Sequence, residues 1–227
     1  EALRGIDIDP VSVEVARLTL KLWAIWRGGR WPSADHLMVG DGLLAVPEEW
    51  LGTCDVVIGN PPFLGQLKSE TSRDRSRAQA LKQRFGSRYT AYVDESMLFF
   101  LLAVELISKD GRVSLIVPSS TLGSDSSQLA REWIDSRLAL SEIWVGGRSV
   151  FDSAAVDVIA PILRSEKRDE CTIVRYETQD ALVVPRPLPG RWSSLLAHAN
   201  GVPTVAIANT RRLGNRAVVT ADFRDAY

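Results

Sequence analysis

The chain has 227 residues, of which 45% are hydrophobic and 24% are charged, and its formal net charge is −1. These values are close to those of ordinary globular proteins, so they exclude disordered, collagen-like and low-complexity classes and a generally basic nucleic-acid coat. No apolar run reaches the roughly 20 residues that a membrane span needs. The two cysteines, Cys54 and Cys171, cannot supply a disulfide framework or a metal cluster. We therefore expect a cytoplasmic protein without membrane contact and without a metal site.

Strands and helices alternate along the first part of the chain. Residues 3–9 are predicted to form a strand, and residues 11–26, which follow Pro10 and carry apolar side chains at helical spacing, a helix. Further strands are predicted at residues 36–40 and at the almost wholly apolar residues 54–59. Residues 64–88 are polar and Ser-rich with no strong period, which predicts a long loop with room for one helical turn.

The same alternation continues in the second part. Helices are predicted at residues 94–108 and 126–137, and strands at residues 112–117, 140–145, 154–163 and 171–176. Asp110 and Gly111 are predicted to form a turn before the strand that follows them. The strands on either side of Gly146 have no helix between them, so we expect them to pair as an antiparallel hairpin at the edge of the sheet.

This order of elements predicts an α/β fold with an open, mostly parallel Rossmann-like sheet covered by helices on both faces. The Pro-rich residues 184–190 are predicted to be a linker, which divides the chain into a domain at residues 1–184 and the start of a second region at residues 185–227. Because the chain starts directly on a strand, we expect it to be part of a longer polypeptide.

Ligands of open α/β sheets bind at the carboxyl ends of the strands, where several acidic residues lie. Asp7 can accept hydrogen bonds from both hydroxyls of a ribose, whereas Asp9 is better suited to cap the following helix. Asp41 can accept from the exocyclic amine of an adenine ring, but the Asp41-Gly42 pair is also a common turn.

Asn60, Pro61, Pro62 and Phe63 follow the apolar strand directly. The two prolines restrict the backbone and remove two N–H donors, which leaves the Asn60 amide oxygen and the backbone carbonyls as acceptors beside an aromatic ring. Such a group can hold both hydrogens of an –NH₂ group while the planar ring that carries it stacks on Phe63. The alternative is a turn that only ends the strand.

The run Asp55-Val-Val-Ile-Gly-Asn-Pro-Pro-Phe63 resembles the catalytic motif of amino-group DNA methyltransferases, especially adenine-N6 enzymes of the Type IIG restriction–modification kind and their phage-defence relatives. Residues 5–10 resemble the ribose-binding strand end of that family, and residues 39–43 its adenine-binding turn. Residues 94–120 and 150–163 resemble the later helix–strand unit and strand pair. The resemblance spans residues 1 to about 165.

The resemblance implies S-adenosylmethionine as cofactor and double-stranded DNA as partner. It also implies a Rossmann-like methyltransferase domain over residues 1–184, and a linker and the start of a C-terminal DNA-recognition region over residues 185–227. The cofactor would be bound by Asp7, Ile8, Asp41 and Gly42. A flipped-out adenine would lie between Phe63 and Phe151. The Asn60 side chain and the Pro61 carbonyl would accept its two N6 hydrogens. Asn60, Pro61, Pro62 and Phe63 would together form the catalytic motif. Methyl transfer would then need neither a metal nor a covalent intermediate.

Residues 68–88 contain seven basic and two acidic side chains. We expect Arg73, Arg75 and Arg77 to contact DNA phosphates, which supply much of protein–DNA affinity. The alternative is a solvated loop without a partner.

The chain departs from the family because no glycine-rich cofactor loop precedes Gly5. We therefore expect the sheet to lack its first strand and the chain alone to be inactive, with nuclease or recognition regions elsewhere in the same polypeptide. Three alternatives remain open: a protein-glutamine or RNA-guanine N-methyltransferase, a NAD-dependent dehydrogenase, and a non-catalytic DNA-binding module.

Overall fold

The computed structural model describes residues 3–29, 36–63, 75–90, 92–146, 156–165, 171–176, 180–199 and 202. The strands are β1 (Gly5–Asp7), β2 (Leu37–Val39), β3 (Cys54–Gly59), β4 (Ile107–Leu115), β5 (Val117–Pro118), β6 (Ala139–Val145), β7 (Val158–Arg164), β8 (Cys171–Tyr176) and β9 (Leu182–Pro185). The helices are α1 (Pro10–Trp26), α2 (Arg75–Phe85), α3 (Glu95–Leu106), α4 (Gln128–Asp135) and α5 (Ser194–Ala199). None of the helices in these ranges is long and apolar enough to cross a bilayer.

The strands form two sheets. In the smaller sheet β1 pairs with β2 in parallel, and in the larger sheet the order is β3-β4-β7-β6-β8-β9, with β5 beside β7. Strands β3, β4, β5, β6 and β8 run in one direction, and β7 and β9 run against them. The predicted α/β class with a mostly parallel sheet is therefore confirmed. The single predicted sheet is observed as two, because no ladder joins β1 to β3 among the described residues.

Helices α1 and α3 begin at aspartate caps. Asp9 accepts hydrogen bonds from the backbone N–H groups of Val11 and Ser12, and Asp94 accepts from that of Ser96. Helix α3 is apolar on almost every side because nine of its twelve residues are buried. It packs against β3, β4 and α4 and forms the centre of the hydrophobic core.

Three sequence predictions are wrong in part. Residues 75–85 of the predicted loop form helix α2, because Leu81 and Phe85, one turn apart, are fully buried in the core. Asp110 and Gly111 lie within β4, where the register against β3 shifts, and do not separate two elements. The β6–β7 hairpin is antiparallel as predicted, but it lies inside the sheet, since β8 and β9 continue the sheet beyond β6.

The predicted linker is also wrong at its start, since Val184 and Pro185 belong to β9. After β9, Gly190 and Trp192 contact helix α4. The Gly190 N–H and the Trp192 Nε1–H both donate to Asp135 Oδ2, at 2.7 and 2.8 Å. Trp192 is fully buried in the same core as the sheet. The division of the chain at residue 184 stays a prediction.

Candidate functional site

A pocket of about 490 Å³ opens where the carboxyl ends of β1 and β3 approach α3. Both sheets contribute to it, since Ile6, Asp7 and Ile8 come from the smaller sheet and its end, and Val57, Ile58 and Gly59 from the larger one. The apolar part of the wall comes from helix α3 and strand β4, through Phe99, Leu102, Ala103, Leu106 and Leu115. The polar part comes from Asp7, Asp41, Asn60, Arg77 and Glu95.

Asp7 and Asp9 have separate roles at the end of β1. Asp7 Oδ1 accepts a hydrogen bond from the backbone N–H of Asp9 at 2.9 Å, and within the described part of the chain its Oδ2 accepts none. Asp9 uses both carboxylate oxygens to cap α1. The capping role expected for Asp9 is confirmed, and Asp7 is exposed on the wall of the pocket.

Asp41 begins a tight turn after β2. Its carbonyl accepts from the N–H groups of Leu44 and Ala45, and its Oδ1 accepts from the N–H of Leu43 at 2.9 Å. A Cβ atom on Gly42 would lie 3.0 Å from the ring of Phe99, so the turn packs closely against α3 and a larger residue would require that ring to shift. Asp41 is therefore both a turn residue and a pocket residue.

Arg77 bridges two carboxylates in the pocket. Its Nε donates to Asp41 Oδ2 at 2.6 Å, and its NH2 donates to Glu95 Oε1 at 2.5 Å. Burial acts to raise the pKa of Asp41, but the hydrogen bonds from Arg77 and Leu43 outweigh it, so this pKa lies below its ordinary value. The hydrogen bond to Glu95 and the one to Asp41 raise the pKa of Arg77 despite burial. Both Asp41 and Arg77 are thus charged at neutral pH.

The Asn60–Phe63 motif lies at the carboxyl end of β3. The last strand residue, Gly59, accepts from the N–H of Ile116 through its carbonyl, which joins the start of the motif to the segment between β4 and β5. Pro61 is buried, while Asn60 and Pro62 are exposed, and all three line the pocket. Phe63 is half-buried and does not line it.

The structure thus brings together most residues predicted for the site. Those that line one pocket are Asp7, Ile8, Asp41, Gly42, Asn60, Pro61, Pro62 and Arg77. Arg75 is exposed at the start of α2 and lies outside the pocket, and Arg73 and Phe151 lie outside the described residues. Arg77, predicted to contact DNA phosphates, has two protein carboxylates as partners in this structure.

Two pocket residues were not predicted from the sequence. Glu95 is only 3% exposed although it is charged, and Phe99 contacts the turn at Gly42. A glutamate directly after a helix cap and before an apolar helix is usually a solvated first-turn residue, so only its burial distinguishes it. The sequence signal was the uninterrupted apolar run at residues 97–104, which forms the next two turns of α3.

The sequence of the chain matches the model of a known family at residues 1–151, which include β1, the Asp41 turn and the Asn60–Phe63 motif. The family is described as Eco57I restriction-modification methylase. The chain belongs to this family. The resemblance inferred from the motifs is therefore confirmed, and the chain is a restriction-modification methylase by family. No curated protein sequence matches it.

Solved structures of methyltransferases and restriction enzymes have the same fold. A protein from Listeria monocytogenes, described as a class I S-adenosylmethionine-dependent methyltransferase, superimposes with a TM-score of 0.56 at 17% identity over 86% of this chain and 54% of its own. The type IIG restriction endonuclease BpuSI gives 0.56 at 16% identity over 89% of this chain and 23% of its own.

The DrdV–DNA complex gives a TM-score of 0.58 at 17% identity over 86% of this chain and 22% of its own. This methylase chain therefore spans about half the length of the first of these structures, and less of the other two. At such identities the likeness establishes the fold, which is that of class I S-adenosylmethionine-dependent methyltransferases.

Proposed function

We propose that this methylase is a site-specific DNA methyltransferase that transfers a methyl group from S-adenosylmethionine to N6 of a flipped-out adenine, as part of restriction–modification or phage defence. The observation that carries the proposal is the position of the Asn60–Phe63 motif, whose first three residues line one pocket with the carboxylates of Asp7 and Asp41. This arrangement supports the proposal, because acceptors suited to an amino group lie in the same pocket as carboxylates suited to a nucleoside.

The pocket fits S-adenosylmethionine in size and in chemistry. Its volume of about 490 Å³ lies in the range of about 300–1,000 Å³ that is usual for small-molecule sites. Asp7 would accept from the ribose hydroxyls, and Asp41 from the adenine amine, at a turn where Gly42 packs closely against the ring of Phe99. When bound, S-adenosylmethionine supplies an electrophilic methyl group attached to a positively charged sulfur.

Asn60 and Pro61 would act on the target base. The Asn60 Oδ1 and the Pro61 carbonyl oxygen are acceptors for the two N6 hydrogens of adenine, and Pro62 brings no N–H donor to compete with them. Holding both hydrogens draws the nitrogen lone pair out of conjugation with the ring and makes it more nucleophilic. We expect Phe63, and Phe151 from outside the described residues, to stack on the base. Catalysis would then consist mainly of positioning and electrostatic stabilisation.

The experiment uses the full-length protein, unmethylated double-stranded DNA and S-adenosylmethionine. After incubation the DNA is digested to nucleosides, and N6-methyl-2′-deoxyadenosine is measured by mass spectrometry. The wild-type protein should produce it, and Asn60→Ala should lower the rate by about a hundredfold or more, as the loss of one group aligned with the reacting centre does. DNA binding by Asn60→Ala should be unchanged.

The control is Gln83→Ala, which truncates an exposed amide side chain on α2 and should leave the rate unchanged. Methyl label on protein or RNA, with none on DNA, would contradict the proposal and favour the glutamine or guanine reading of the same motif. Full activity of Asn60→Ala would contradict the role of the motif. DNA binding without methyl transfer to any substrate would favour a non-catalytic binding module.

A further inference from the structure

Three elements of the fold meet at the guanidinium group of Arg77. The side chain leaves α2 and donates through Nε to Asp41, which lies in the turn after β2. Through NH1 and NH2 it donates to both carboxylate oxygens of Glu95, at 3.3 and 2.5 Å, in the first turn of α3. One cation therefore connects the pocket turn, the central core helix, and the helix that follows the Asn60–Phe63 motif in the chain.

The charges explain why Arg77 takes this position. Glu95 is 3% exposed, and a carboxylate removed from water to this extent needs a partner of opposite charge. A guanidinium group meets that need and, because it has five N–H donors in a fixed plane, it can bind a second carboxylate at the same time. Arg77 is itself only 27% exposed, so solvent screens these contacts weakly.

The same contacts determine how Asp41 is oriented. Its Oδ1 is held by the N–H of Leu43, and its Oδ2 by Arg77, so neither oxygen is free to rotate away from the pocket wall. A carboxylate has about four acceptor positions, and these two bonds use two of them. Asp41 can therefore still accept a hydrogen bond from a ligand, and its ionised carboxylate is held in one orientation while it does.

We propose that Arg77 is a positioning residue of the cofactor pocket: anchored by Glu95, it orients the Asp41 carboxylate to accept the adenine amine of S-adenosylmethionine. This inference rests on the proposed function only in its choice of S-adenosylmethionine as ligand. It assigns to Arg77 a role in cofactor affinity in place of the DNA contact that the sequence predicts. It also assigns to Glu95, which no motif singles out, the role of anchor.

The test measures cofactor binding directly on the full-length protein. The dissociation constant for S-adenosylmethionine is determined by equilibrium dialysis for the wild type, Arg77→Gln, Arg77→Lys and Glu95→Gln. Arg77→Gln should raise it about tenfold, the factor expected when one charge-assisted hydrogen bond is lost. Arg77→Lys should recover part of the loss, because an ammonium group keeps the charge but cannot bind both carboxylates in one plane.

Kinetics separate positioning from general damage to the fold. Arg77→Gln should raise the KM for S-adenosylmethionine by a similar factor while kcat at saturation stays near the wild-type value, because the residue contacts no reacting atom. The double variant Arg77→Gln/Glu95→Gln should be no worse than Arg77→Gln alone, since Glu95 acts through Arg77. Lys21→Gln, which removes an exposed positive charge from α1, is the matched control and should change nothing.

Two results would overturn the inference. If Arg77→Gln binds S-adenosylmethionine as tightly as the wild type or more tightly, Arg77 either plays no part or competes with the ligand for Asp41. If it weakens DNA binding and lowers the salt dependence while cofactor affinity is unchanged, Arg77 is a phosphate contact. A wild-type protein that binds S-adenosylmethionine but does not methylate DNA would refute the proposed function alone, because the dialysis result still decides the role of Arg77.

Discussion

At the scale of single residues, Asp135 shows how a half-buried carboxylate connects distant parts of the chain. It lies at the end of α4, and its Oδ2 accepts from the Gly190 N–H and from the indole N–H of Trp192. Burial raises the pKa of Asp135 above its ordinary value, although the two hydrogen bonds and the nearby Arg131 and Arg186 act to lower it. The oxygen acceptor of Asp135 therefore stabilises the fold, whereas the negative charge of its carboxylate destabilises it.

Substitutions of Asp135 should separate these two effects. Asp135→Ala leaves two donors without this acceptor, one of them on the fully buried Trp192, and should lower the free energy of unfolding by about 1–3 kcal/mol. Asp135→Asn retains an oxygen acceptor without the charge, and should be as stable as the wild type or more stable at neutral pH. Urea unfolding followed by tryptophan fluorescence measures both.

The effect of Asp135 on the free energy of unfolding should depend on pH with a definite sign. The pKa of Asp135 in the folded state is raised above its ordinary value of 3.8, so the folded state binds the proton more tightly than the unfolded state does. The stabilisation that this gives to the folded state is fully present below pH 3.8. It is lost as the pH rises through the folded-state pKa. The stability of Asp135→Asn relative to the wild type should therefore increase with pH over this interval. A difference that stays constant, or that decreases as the pH rises, would contradict this account.

Residues at the site illustrate what the sequence can predict. The residues of the Asn60–Phe63 motif, Asp7 and Asp41 could be named because the carboxyl ends of strands meet at one edge of a sheet. Glu95 and the partners of Arg77 could not, because residues 41, 77 and 95 are brought together only by the packing of α2 and α3. A basic residue in a polar segment predicts a solvated or phosphate-binding side chain, and nothing local reveals a buried carboxylate nearby.

At the scale of elements, α2 is the part of the fold that local patterns missed. Only two of its residues, Leu81 and Phe85, are buried, and the other positions are mostly polar or basic. Two anchors are too few to produce a clear helical period in the sequence, but both are fully buried in the core. Strands β6 and β7 were predicted correctly as a hairpin. Their interior position depends on the pairing of β6 with β8, which the sequence of neither strand determines.

Helix α2 also carries the remaining prediction about DNA. Arg75 is exposed at its start, unlike Arg77, and is available to a phosphate group. Arg75→Ala in the full-length protein should weaken DNA binding at low salt and reduce the slope of log K against log salt concentration by about 0.9, the effect of one phosphate contact. Fluorescence anisotropy with a labelled duplex at several salt concentrations measures this slope.

The same salt series with Gln83→Ala provides the control on α2, since this change removes no charge. A slope for Arg75→Ala equal to that of the wild type would show that Arg75 binds no phosphate, and would favour a solvated helix surface. The cofactor affinity of Arg75→Ala should not change, because the residue lies outside the pocket.

At the scale of the whole molecule, large apolar side chains are exposed on helix α1 and on strand β3. Helix α1 exposes a row of apolar residues at helical spacing, namely Val11, Val15, Leu18, Leu22 and Trp26. On β3, Ile58 is 76% exposed although it belongs to a strand of the core sheet. An exposed apolar row such as that on α1 usually contacts another protein segment.

The 227-residue chain produced on its own should therefore bind a hydrophobic fluorescent dye such as ANS in its folded state. Leu18→Gln/Leu22→Gln should reduce the fluorescence, because it interrupts the row on α1, while Lys21→Gln on the same helix should not. Dye titration at constant protein concentration gives both values. Equal fluorescence of the double variant and the wild type would mean that the dye binds elsewhere.

The division of the pocket between two sheets has a mechanical consequence. Asp7 and Asp41 follow strands of the smaller sheet, and the Asn60–Phe63 motif follows a strand of the larger one. In the described residues no backbone ladder connects these two sides, and contacts such as those of Gly42 with Phe99 and of Arg77 with Asp41 connect them instead. Side-chain contacts yield more easily than a backbone ladder, so we expect the distance between Asp41 and Asn60 to vary more than distances within either sheet.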